Sequence, residues 1–188
     1  AVMQMRELRD AEKDVELNWM ASIQQAALMN ATVLRLRLET QRGLAEPQSI
    51  QKTIDSFPAY RKALTDVEAN YASLVSNEKE ATLFTLVKTS IDEYSKQLER
   101  LEPLMRQGDI AAASSLVTTS IRHLTNKMEG QIKDLINFNN EGAAQAGQNA
   151  TDLYNNGFWL VVGLISGVAV LTVGLASLLT KSITSPIN

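Results

Sequence analysis

Phe84 to Met105 reads FTLVKTSIDEYSKQLERLEPLM, with apolar residues at Phe84, Val87, Ile91, Tyr94, Leu98, Leu101 and Met105. Alternating steps of three and four make a single apolar seam along a helix, as in coiled-coil-like packing. Just upstream, Asn77 stands three residues before Glu80, the spacing of a capping box that starts such a helix. Just downstream, Gly108-Asp109 supplies a helix stop followed at once by a start.

The same rhythm extends in both directions. A first helix carries Leu8, Ala11, Val15, Ser22, Ala26, Met29, Val33, Leu36 and Thr40. A second carries Ile50, Ile54, Phe57, Tyr60, Leu64, Val67, Tyr71 and Leu74, with Pro58 inside it expected to bend or restart the helix. A fourth runs through Ile110, Val117, Ile121, Leu124, Met128, Leu135, Gly142, Ala146 and Leu153. Breaks fall at Gly43 to Pro47, Ser76 to Glu78 and Gln107 to Asp109. Connections this short force neighbours to run antiparallel, so the expected fold is all-α, an up-down-up-down four-helix bundle.

Phe158 to Leu179 reads FWLVVGLISGVAVLTVGLASLL, 22 residues without a charge or a proline. As a helix it covers about 33 Å, enough for a hydrocarbon core of about 30 Å. No breaker separates it from the fourth bundle helix, which is therefore expected to continue into a transmembrane helix. The division that follows is a bundle over residues 1–156, a span over 157–180 and a short tail over 181–188. Tyr154 and Trp159 suit the interface, and Lys181 after the span favours a cytoplasmic C-terminal side. Gly163 and Gly167 form a GxxxG strip, with Gly174 one heptad on, where another membrane helix can approach. A bundle whose fourth helix enters the membrane also begins near it, so a first span is expected to precede residue 1.

Composition narrows the function. Lys plus Arg total 18 against 21 Asp plus Glu, a net charge of -3, so no basic field exists to hold nucleic acid. There is no Cys and one His, His123, which leaves no conventional metal site or catalytic triad. No phosphate loop or Glu-x-x-His repeat is present either, so no catalytic residue, metal ligand or cofactor is assigned, and an enzyme is not expected.

These residues resemble the four-helix-bundle sensor domain of methyl-accepting chemotaxis proteins, the bacterial transmembrane chemoreceptors. Three stretches carry the resemblance. Glu16-Leu17-Asn18-Trp19 leads to an Arg-rich end with Arg35-Leu36-Arg37 and Arg42; Met105 to Val117 reads MRQGDIAAASSLV; and Lys181 to Ile187 reads KSITSPI, similar to the start of a HAMP relay module. The resemblance implies a bacterial inner-membrane receptor, a homodimer, with residues 1–156 periplasmic and the HAMP-like residues 181–188 cytoplasmic. The same bundle fronts sensor histidine kinases and cyclases, so those outputs stay open.

On a helical wheel of about 100° per residue, Asn30, Arg37 and Thr40 fall in the first helix's seam while Arg35 and Arg42 point roughly the opposite way. Counting about 1.5 Å per residue from the membrane puts Arg37 roughly 54 Å up, level with Arg122. Thr118, Thr119 and Thr125 share that height, Tyr94 of the third helix reaches it, and Tyr60 and Arg61 lie nearby or below. Guanidinium forks match carboxylate oxygens, and Thr and Tyr hydroxyls add orienting bonds. Arg35, Arg37, Arg42, Tyr60, Tyr94, Thr118, Thr119 and Arg122 are therefore the candidate ligand-binding residues, for a small organic acid or amino acid. The same arginines also fit ordinary ion pairs, with Glu39 or Asp92. Their spacing departs from the pattern of family receptors for acidic amino acids, so no ligand identity carries over. His123 falls on a solvated face, and Asn18 and Trp19 are expected to pack.

Three functions compete. A sensor binds its ligand outside and displaces the fourth helix across the membrane. A tail-anchored tether uses polar seam residues only to set register. A third reading keeps the sensor fold but has it read a periplasmic solute-binding protein through its distal tip.

Overall fold

The computed structural model describes the backbone of residues 2–184 and the side chains of residues 6–179. The HAMP-like Lys181 to Ile187 lies outside the residues whose side chains are described. Six α-helices follow in order: α1 (Val2–Asp14), α2 (Ala21–Ala45), α3 (Ile50–Ala72), α4 (Glu78–Arg106), α5 (Ile110–Leu116) and α6 (Arg122–Thr184). One π-helical segment, Val15–Met20, lies between α1 and α2, and another, Val117–Ile121, between α5 and α6. Two compact units result, residues 15–143 and residues 2–14 with 144–184.

The first unit is the bundle. Successive helices pack on one another, α2 on α3, α3 on α4 and α4 on α5, and α5 closes back on α2. The seam of α4 is buried along its whole length, from Phe84 to Met105, as are Ala26, Met29, Val33 and Leu36 of α2 and Met128, Ile132 and Leu135 of α6. Each fully buried side chain of this size contributes about 1.5–3 kcal/mol relative to exposure, so the seams are what hold the helices together.

The turns are built from the residues that mark them. Gly43 lets α2 approach α3, since a methyl there would stand 2.7 Å from the Thr53 hydroxyl. Gly108 takes φ +72°, the left-handed stop that ends α4, and Asp109 then caps α5 by accepting from the Ala112 N–H at 3.0 Å. Pro58 does not break α3, which is continuous from Ile50 to Ala72. The ring is exposed and forfeits only one backbone bond, while buried Ile54, Phe57 and Leu64 anchor the helix on both sides. Trp19 seats its indole against Gly142, where any side chain would collide with the ring, and meets Phe138 edge-on at 6.0 Å.

In the second unit the apolar stretch predicted to span the membrane is helical throughout as part of α6. Its side chains are uncovered: Trp159 is 68% exposed and Val170 72%. A core helix of a soluble protein buries such residues, and none of the most apolar window of this one is buried. It has the length and apolarity of a membrane span.

Candidate functional site

The π-helical segment Val117–Ile121 interrupts what the seam predicted as a continuous α-helix. Within and beside it, Thr118 and Thr119 turn their hydroxyls back onto the carbonyls of Ser114 and Ser115, at 2.8 and 2.7 Å, and Thr125 does the same to Ile121 at 2.7 Å. Such π turns recur where helices carry function.

On one side of this segment lies a cleft of about 110 Å³ lined by Arg37 and Gln41 of α2, Thr118 and Ile121, and Arg122 and Thr125 of α6. Arg37 donates to Glu129 Oε1 at 3.0 Å, and both side chains are about one-third exposed. Arg122 is exposed and makes no ion pair among the described residues. Behind Arg37, the Tyr94 side chain is completely buried and its hydroxyl has no hydrogen-bond partner. Burial pushes that phenol above its ordinary range, while the Arg37 guanidinium opposes the rise, so the two groups feel one another.

The structure therefore brings Arg37, Thr118 and Arg122 to one cleft, with Tyr94 behind it. The other candidates lie elsewhere. Arg35 is exposed on the outer face of α2, and Arg42, also exposed, pairs with Glu46 at 3.3 Å. Tyr60 is half-buried against the core, next to none of these groups in the cleft wall. Thr119, one residue from Thr118, turns into a separate open groove with Arg100, Leu104 and Ser115. Gln41, Thr125 and Glu129 complete the cleft's polar surroundings, and spacing was their available signal. Arg122, Thr125 and Glu129 follow one another by three and four along a single helix face.

A second cavity, of about 280 Å³, lies beside the ion pair, lined by Asn30, Leu34, Glu129, Lys133 and Ile136. The Asn30 side-chain amide oxygen is buried without a partner.

A different polar cluster sits at the end of the bundle where α3 meets α4. Glu80, Tyr71 and Asn139 are fully buried. The Asn77 side chain caps α4 through the Glu80 N–H at 3.0 Å, but the Glu80 carboxylate does not complete the box. It accepts instead from the Tyr71 hydroxyl at 2.9 Å, the Ser76 N–H at 2.9 Å and the Ser76 hydroxyl at 3.0 Å. Asn139 donates to the Tyr71 oxygen at 2.7 Å and to the Leu135 carbonyl at 2.8 Å. Burial first, and then the Glu80 carboxylate, hold the Tyr71 phenol well above its usual range.

α2 and the π-helical segment before it also present exposed apolar residues: Leu17 and Met20 of Val15–Met20, and Leu28, Leu34 and Leu38 of α2, Leu38 by 64%.

Comparison with known proteins agrees with this architecture. A periplasmic sensor domain of a sensor histidine kinase superposes with a TM-score of 0.64 at 17% identity, covering 74% of this chain and 94% of that one. At that identity the likeness speaks for the fold alone. No curated protein matches by sequence. The model of the family described as a four helix bundle sensory module for signal transduction matches residues 1–154. The chain thus belongs to that family, the sensory bundle of methyl-accepting chemotaxis-type receptors.

Proposed function

We propose that this chain is the extracytoplasmic sensor and membrane span of a bacterial inner-membrane receptor, and that the cleft between α2 and the Val117–Ile121 segment with the start of α6 takes a small carboxylate anion. The observation that carries the reading is the convergence of Arg37, Arg122 and Thr118 on one cleft with an unpaired, buried Tyr94 hydroxyl behind it. Two guanidinium groups are the forked donors that a carboxylate needs, and a cleft of about 110 Å³ limits the ligand to a few carbons.

Residues 1–156 are the periplasmic module in this reading, 157–180 the span and 181–188 the start of a HAMP relay on the cytoplasmic side. Ligand drawn between α2 and the start of α6 favours one relative position of those helices, and α6 carries the displacement toward the membrane because it is continuous from Arg122 to Thr184. Only unequal affinity for two positions transmits anything. A second copy of the chain covers the outer leucines of α2, with Arg35 and Arg42 exposed on the same helix. The bundle itself supplies recognition and displacement, with no chemical step.

The reading is tested by thermal unfolding of the full chain in detergent with acetate, pyruvate and succinate as probes. At about 100 times its dissociation constant a bound probe adds about 2.7 kcal/mol to stability, a clear rise in Tm. A tether shows no rise with any of them, and neither does a sensor that reads a solute-binding protein.

A further inference from the structure

We infer that Glu129 is a built-in competitor for the ligand, occupying Arg37 in the empty cleft and leaving it when a carboxylate binds; this rests on the carboxylate reading proposed above. The Arg37–Glu129 ion pair joins the two cavities, one partner lining each. Arg37 lines the smaller cleft with Thr118 and Arg122, and its ion-pair partner Glu129 lines the larger cavity with Asn30 and Lys133. Glu129 holds the guanidinium through a single 3.0 Å bond at a site about one-third open to solvent, so water and solute reach both partners. A fully buried pair resists exchange of partners, and this pair is not of that kind.

The displaced carboxylate also has somewhere to go. Lys133 stands four residues further along the same helix, the favourable order for a Glu and Lys pair, and the cavity between them holds about 280 Å³ of space. Arg122 has no ion-pair partner among the described residues, so an incoming anion meets it first and then takes Arg37 from Glu129. The exchange removes the salt bridge that ties α2 to α6 at the level of the ligand. Binding thereby acts directly on the contact between the two helices whose relative position carries the signal.

The test is a set of calorimetric titrations of the full chain in detergent with acetate, pyruvate and succinate, in wild type, Glu129→Gln, Glu129→Asp and Arg37→Ala. Glu129→Gln keeps shape and removes the competing charge, and affinity rises about tenfold for whichever probe binds. Glu129→Asp keeps the charge but withdraws it beyond bonding distance, so affinity rises there too, by several-fold. Tightening in Gln alone would mean mere repulsion at a distance and would overturn the inference, as would no tightening in either variant while wild type binds through Arg37. Uptake of no probe by wild type or by either Glu129 variant, or uptake that ignores Arg37→Ala, defeats the carboxylate reading itself.

Discussion

Two clusters of the same residue types, tyrosine with carboxylate and amide in one and tyrosine with carboxylate and guanidinium in the other, lie within the bundle and differ in one respect. At the α3–α4 end Glu80 is fully buried and receives three donors, and Tyr71 both gives and receives a bond. Only neutral oxygens, of Ser22 and Asn139, are left over there. At the Arg37 cleft the ion pair is partly open and makes one bond, Arg122 has no ion pair among the described residues and the Tyr94 hydroxyl faces nothing. A cluster whose buried charge is fully bonded clamps helices together, because losing that charge leaves its buried donors orphaned. A cluster short of acceptors has capacity to spare for a solute.

That contrast predicts a crossover between stability and binding. The largest effect is expected from Glu80→Ala, which strands the Tyr71 hydroxyl and the Ser76 N–H and lowers stability by about 2–4 kcal/mol, read by denaturant unfolding, while leaving carboxylate affinity alone. Gly142→Val comes next: the side chain invades the space of Trp19, and the loss of about 1–3 kcal/mol is accompanied by a shift in indole fluorescence. Arg37→Ala lies at the small end for stability, at about 0–1 kcal/mol for a partly exposed pair, yet it abolishes binding. Loss of binding in Glu80→Ala at a temperature where it remains folded would erase the contrast.

pH sharpens it further. The Tyr71 and Tyr94 phenols are both raised in the folded protein, chiefly by burial. For a group raised on folding, its contribution is intact below the unfolded value, an ordinary 10.0, and drains away as pH climbs above it. Absorbance titration should therefore show these two phenols ionising only as the bundle opens, and Tyr94→Phe should remove one of the two late steps with little cost, since that hydroxyl has no bond to lose. The smallest intervention is Leu38→Cys. With no other cysteine in the chain, mild oxidation should yield a crosslinked dimer if α2 pairs with its copy, and a monomer otherwise.

Much of the fold was legible because burial follows period. Every seam position of the third helix from Phe84 to Met105 is buried, and the turns fall at Gly43 to Pro47, Ser76 to Glu78 and Gly108 as their residue types require. What sequence did not reveal concerns single groups with two possible partners. Glu80 read as half of a capping box, although its place four residues before Phe84 also puts it in the seam, and Tyr71 drew the carboxylate inward. Thr118 and Thr119 share a height, but adjacent residues point about 100° apart, so only one of them faces Arg37. Glu39 and Asp92 were the expected partners of the arginines, whereas Arg37 reaches across to Glu129, a choice fixed by helix rotation rather than by spacing within one helix.

The most direct test of the whole account is calorimetric titration of a small carboxylate probe, acetate, pyruvate or succinate, into wild type and Arg37→Ala in the same detergent. The account predicts a saturable heat in the first that vanishes in the second while both proteins unfold at nearly the same temperature. Equal heats in the two proteins, or no heat in wild type with every probe, would contradict it.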